Sequence, residues 1–194
     1  MKASRLILGA GLAVAALLSL SCATLEKTQV ASVEEAALIT VSCDKRIDMS
    51  DFGGLAALVN QLAQDKSFQL KPLAVKLRDD MFGKYAAGLP FQLVPEAQVI
   101  GAPAYRTFET QKFSLNKAFY DAPDGYVFYP LNDDVAYRVL LDAFPDVEAF
   151  MVCSASFKLT KEFAIAGFGT ARVTSFVTVL ALDRNRQVIL RKST

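Results

Sequence analysis

The sequence predicts an α/β domain with one mixed β-sheet, helices packed on it and an antiparallel hairpin at its C-terminal end. Three observations carry this. Apolar β-branched runs alternate with stretches of helical period. A 14-residue alternating run, 170–183, is followed at once by a charged turn and a short returning run. The composition, 53% hydrophobic and 21% charged, suits a packed core and excludes a disordered tail.

The elements follow in chain order. Ala36 to Cys43 (AALITVSC) is compact, apolar and β-branched, and it reads as a buried strand that Asp44-Lys45-Arg46 ends. In 51–64, Leu55, Leu58, Val59 and Leu62 recur at helical spacing, with Asp51 as the N-cap. A second helix is expected from Pro72 to Ala87. Proline suits a first helical turn, Leu73, Leu77, Met81 and Tyr85 recur every four residues, and Gly88-Leu89-Pro90 stops it. Phe91 to Val94 is a short strand closed by Pro95. Residues 101–130 are read as irregular, broken by Gly101, Pro103, Pro123, Gly125 and Pro130.

Asn132-Asp133-Asp134 is expected to cap a helix from Val135 to Phe144, ended by Pro145-Asp146. Val147 to Leu159 is the next strand, with Phe150, Val152 and Ser154 on one side. In the long run, Val173, Ser175, Val177 and Val179 face one way, and Thr174, Phe176, Thr178 and Leu180 the other. Asp183-Arg184-Asn185-Arg186 is the hairpin turn, and Gln187 to Leu190 returns. Strand–helix–strand order favours parallel pairing, whereas the final hairpin is antiparallel. One domain is expected over 36–194.

Composition also bounds function. Histidine is absent, so Ser-His-Asp and Cys-His catalysis and imidazole-bound zinc are excluded. Beyond Lys2 and Arg5 the chain carries 19 basic and 20 acidic residues, no footprint for nucleic acid. Asp44, Asp48 and Asp51 do not have the spacing of an EF-hand, and Gly53-Gly54 is no phosphate loop. The expectation is a non-enzymatic protein with no cofactor and no metal.

The first 21 residues have the form of an export signal. Lys2 and Arg5 make a basic start, and Leu6 to Leu20 is uncharged and apolar but too short to span a bilayer comfortably. The run ends in Leu18-Ser19-Leu20-Ser21-Cys22, followed by Ala23. This ending resembles the bacterial lipobox, with Ser21 at −1 and Cys22 at +1. It departs from the usual pattern at −3, where Ser19 stands in place of leucine. The resemblance implies a lipid on Cys22, and Ala23 implies delivery to the outer membrane, facing the periplasm. Two or three acyl chains, at ~0.8 kcal/mol per buried methylene, anchor stably. Residues 22–35 are then a lipidated tether. Cys43 and Cys153 lie in apolar strands and are expected to be free and buried, although export permits a disulfide.

Several pieces together resemble a family of envelope domains. It includes the N-terminal domain of the Tol-system β-propeller protein, the penicillin-binding-protein activator lipoproteins and the curli secretion lipoprotein. The matching pieces are ALITVS, then PLAVKLRDDMFGKYAAGLPFQLVPE, VAYRVLLDAFPDVEAFMVCSASFKL and VTVLALDRNRQVIL, within 36–190. The resemblance implies a binding or assembly role in the cell envelope and carries over no catalytic residue. The connection 101–130 is longer than the family's.

Two segments are candidate partner surfaces. Eight of the 20 aromatic residues fall between Gly101 and Pro130, among them Phe113 and Tyr126. Exposed, they would anchor a partner; folded over the domain, they would form a small core of their own. The run 163–169 (FAIAGFG), with Phe168, is apolar and flanked by Lys158, Lys161 and Arg172. It is either a lipid or partner contact or a strand pair bulged at Gly167 or Gly169. An envelope protein partner or self-association is expected. The alternative function is a carrier for a hydrophobic ligand such as a lipid.

Overall fold

The computed structural model describes residues 33–52, 69–108, 119–165 and 168–194; for 163–165, 168 and 169 it describes the backbone alone. The expected helix over 51–64 lies outside the described residues beyond Phe52, as do the leader, Cys22 and Phe113.

The strands are β1 (Glu35–Asp48), β2 (Gln92–Leu93), β3 (Tyr120–Asp121), β4 (Ala149–Ile165), β5 (Phe168–Asp183) and β6 (Val188–Ser193). They form one mixed sheet in the order β2-β1-β4-β5-β6, and β3 joins the same outer edge of β1 as β2. β1 runs parallel to β2 and β4; the β1–β3, β4–β5 and β5–β6 pairs are antiparallel. This is the α/β fold with a C-terminal antiparallel hairpin that the residue pattern predicts.

β1 reads as a continuous apolar run because both of its faces are covered. Every residue from Ala36 to Cys43 is buried. On one face Ala37 and Ile39 pack with Phe150, Leu140 and Tyr137; on the other Leu38 and Val41 pack with Met151, Met81 and Phe91. The strand does not stop at Asp44-Lys45-Arg46. It continues to Asp48 beside β4, and Lys45 N–H donates to Phe119 O at 2.8 Å. Charges are tolerated there because they are paired, Lys45 with Asp121 at 3.0 Å and Asp44 with Arg46 at 2.6 Å.

Helix α1 (Lys71–Asp80) begins with proline in its first turn, as expected, and then widens into a π turn, Met81–Tyr85, and a 3-10 turn, Ala86–Gly88. The four-residue stripe does not stay buried along its length. Ala74 and Met81 are buried and Leu77 packs beside them, but Leu73 and Tyr85 are exposed. Steps of four residues overshoot a 3.6-residue turn by about 40° each, so the ends of such a stripe rotate off the core.

The connection 101–130 is only partly irregular. It begins within α2 (Glu96–Gly101) and contains α3 (Pro103–Thr107) and β3. Helix α4 (Asp134–Ala143) starts as expected: the Asp133 carboxylate accepts from Val135 N–H and Ala136 N–H, both at 3.0 Å. Tyr137 and Leu140 point to the core. At the charged turn, Asp183 Oδ1 accepts from Asn185 N–H and Gln187 N–H, which fixes the β5–β6 connection.

Candidate interaction surface

Tyr105, Tyr126 and Tyr129 of the aromatic connection are core, and Phe108 and Phe128 pack against it. Tyr105 and Tyr129 stack with ring centroids 5.3 Å apart, Phe108 stacks on Tyr129 at 4.8 Å, and Phe144 meets Tyr105 edge-on. Tyr105 is fully buried and Tyr129 nearly so. This assembly covers the stretch of β1 that lies between β2 and β3. There the chain 122–130 runs beside β1 without forming a strand, and two hydroxyls take the place of ladder hydrogen bonds. Tyr105 OH donates to Ile39 O at 2.7 Å and accepts from Val127 N–H at 3.1 Å. Thr40 Oγ1 donates to Val127 O at 3.2 Å and accepts from Tyr129 N–H at 2.9 Å. Ile39 is the residue inserted where the β1–β4 register shifts, between Leu38 and Thr40.

Tyr126 must therefore be reassigned from partner contact to core. Its side chain is only 7% exposed and packs with Val33, Met81 and Phe91. Burial, and then the Glu96 carboxylate beside it, push its hydroxyl well above the usual tyrosine range. A glycine precedes it for a conformational reason. Gly125 has φ +86°, and a Cβ there would meet Ile100 at 3.0 Å.

Phe113 and Cys22 lie outside the described residues, and of Phe168 the backbone alone is described, paired with Ile165. That pair closes a long ribbon. β4 and β5 pair from Ala149↔Asp183 to Ile165↔Phe168. β1 follows β4 only to Lys158, and β6 follows β5 only to Val177, where Thr194 pairs with it. Beyond these limits, among the described residues, no further strand pairs with the two. The register shift falls between Lys161 and Phe163, at Glu162, rather than at a glycine.

The ribbon has two chemically different faces. Phe157, Leu159, Lys161, Ala171, Val173, Ser175 and Val177 lie on one, mainly apolar; Lys158, Thr160, Arg172, Thr174 and Phe176 on the other, mainly polar. Val173 is 58% exposed and Phe176 38%. Lys158 pairs with Asp51 at 3.2 Å and Arg172 with Glu162 at 3.1 Å. The sequence held part of this signal, a 14-residue alternating run followed by a shorter return; the return is Val188–Ser193 rather than the expected Gln187–Leu190, because pairing with β5 continues past Leu190.

A cleft of about 350 Å³ lies at the opposite end of the sheet, between α4 and the β5–β6 turn. Asp134, Tyr137, Arg138, Arg184 and Arg186 line it. Two of its three arginines are occupied. The Arg186 guanidinium stacks over Tyr137 at 4.8 Å and pairs with Asp134. Arg184 Nη1 donates to Phe144 O, Pro145 O and Val147 O at 3.1, 2.9 and 2.8 Å. This is a latch between the helix end and the hairpin turn. Arg184→Met should lower the unfolding free energy by about 1–2 kcal/mol, since the carbonyls lose a charged donor but can still reach water. Urea denaturation of the two proteins would show it; no change in midpoint would mean that water replaces the guanidinium without cost.

The remaining polar chemistry is structural. Among the described residues no three Cys, Asp or Glu side chains come together as a metal-binding group. Asp44 binds Arg46, whose guanidinium lies over the Phe119 and Tyr120 rings. Cys43 and Cys153 are free and buried, and burial pushes both thiols up to about 12, so both stay protonated at neutral pH. Among the described residues, no helix is long and apolar enough to cross a membrane.

No family model, curated protein or solved structure matches this chain.

Proposed function

We propose that the protein is a lipid-anchored cell-envelope lipoprotein that acts as a non-enzymatic binding or assembly module. The observation that carries the anchor is the leader, with its basic start, short apolar run and Ser21-Cys22 ending. What supports the binding role is the projecting β4–β5 ribbon, which leaves apolar side chains in water without a covering element. Both faces of the sheet are filled with side chains, and the described cleft is lined mainly by charged residues, which favours this reading over a lipid carrier.

The tether and the ribbon differ in reach. Val33, 11 residues after Cys22, enters β1 at the end of the sheet where β4 starts. A strand rises about 3.3 Å per residue, so the 17 residues of β4 carry the ribbon tip roughly 55 Å from that end. Eleven residues reach at most ~40 Å. With Cys22 in an outer membrane, the start of β1 would stay within that reach of the bilayer.

Two measurements test this. Wild-type protein should partition into the detergent phase, and mass spectrometry should find Cys22 as an acylated N-terminus. Cys22→Ser should abolish both. A wild-type chain that keeps Met1 and carries no acyl group would remove the anchor. For the binding role, photo-reactive residues at Phe113 and Phe168 should give discrete protein adducts in cells, with buried Tyr126 as the silent control. Silence at all three positions would count against these surfaces.

A further inference from the structure

Sheet edges that must stay single are usually blocked by proline, lysine, a bulge or a covering segment. Three of the four edges here are treated in this way. The outer edge of β1 is covered by β2, β3 and the aromatic connection. β6 carries Arg191 and Lys192. The free part of β4 carries Lys161 and the register shift at Glu162. Among the described residues, the free part of β5 has none of these devices. From Thr170 to Phe176 it contains no proline, and its one cation, Arg172, is paired with Glu162.

The backbone orientation of that edge follows from its last bond to β6. Val177 N–H donates to Thr194 O and Thr194 N–H to Val177 O, both at 3.1 Å. Outward-pointing groups alternate every second residue in an antiparallel ladder. The N–H and C=O of Ser175, Val173 and Ala171 therefore point to the same open edge. Ala171 and Val173 also lie on the ribbon face that holds Phe157 and Leu159, with Lys161 opposite Ala171.

We propose that this edge pairs antiparallel with the same edge of a second copy of the chain, about a two-fold axis at Val173. The register is self-complementary. Val173 meets Val173 of the second copy, Ala171 meets Ser175, and Arg172 meets Thr174. No like charges stand opposite one another, whereas an axis at Arg172 would oppose two guanidiniums. The pairing forms about six main-chain hydrogen bonds and makes two-stranded ribbons into a four-stranded sheet, which a ribbon marginal in water favours. It names a partner for the assembly role and rests on that reading, but it needs no lipid on Cys22.

The test uses the full-length chain with Cys22→Ser, extracted in mild detergent. Cys43 and Cys153 are buried and protonated and do not interfere. Directly opposed Cα atoms in such a pair lie about 5.5 Å apart, within disulfide range. Val173→Cys should therefore crosslink to a covalent dimer at least ~10-fold faster than Arg172→Cys, which lies opposite Thr174. Val173→Pro removes an outward N–H without touching the β4–β5 ladder, and should leave a monomer in sedimentation where the parent shows dimer. Equal crosslinking of the two cysteines, a parent that is monomeric throughout, or a dimer that survives Val173→Pro would each overturn the proposal. If Val173→Pro fails to fold, the cysteine pair decides alone. Acyl analysis of Cys22 reads the anchor separately, so one can fail without the other.

Discussion

Tyr105→Ala is expected to lower the unfolding free energy by about 4 kcal/mol, enough to threaten the fold of a domain of this size. The side chain is fully buried between Tyr129 and Phe144, so truncation leaves a cavity that two other rings line. It also strips the hydroxyl from two buried backbone groups, Ile39 O and Val127 N–H. Tyr105→Phe separates the terms. It keeps the ring and loses the hydroxyl, and should cost about 2 kcal/mol. Equilibrium urea unfolding of the three proteins checks both numbers. If Tyr105→Phe is neutral, the ring packs the connection but the hydroxyl does not dock it.

Thr40→Val is expected to cost about 2–3 kcal/mol, although it changes neither size nor β-propensity. Thr40 is 2% exposed, and its hydroxyl closes bonds to Val127 O and Tyr129 N–H. Valine takes the hydroxyl from a buried N–H and a part-buried C=O, which costs more than the bond itself contributed. Because Tyr105 and Thr40 bind the N–H and the C=O of the same residue, Val127, their effects should not add. In a double-mutant cycle the Tyr105→Phe/Thr40→Val protein should lose at least ~0.5 kcal/mol less than the sum. Strict additivity would show that the two hydroxyls act on independent parts of the connection.

These positions also mark where the sequence was silent. Thr40 belongs to a β-branched run and Tyr105 to an aromatic-rich stretch, so local pattern reads one as a strand former and the other as a possible anchor. Neither pattern tells that a hydroxyl will meet a carbonyl 66 residues away. Tyr126 was open between partner contact and core for the same reason, and its packing with Met81 and Phe91 decides for core. The ribbon was half legible. Alternation from 170 to 183 revealed its length and faces, but its free edge depends on where β1 and β6 stop pairing.

The sequence alone determined the elements with strong periodicity: the buried strand 36–43, the Asp133-capped helix, the long alternating strand and the turn at Asp183. Their signals are local, because strand alternation, helix caps and turns are set by a residue's near neighbours. The export-like pattern of the first 21 residues, on which the proposed anchor rests, is likewise contiguous. The tertiary structure decided three further things: that β1 lies between β4 and the aromatic connection, that Tyr105 and Thr40 hold that connection in place, and that β5 is left with an open edge. Each depends on contacts between residues far apart in the chain, and the free energy of such contacts comes from burial and hydrogen bonding that exist only once the distant segments have met.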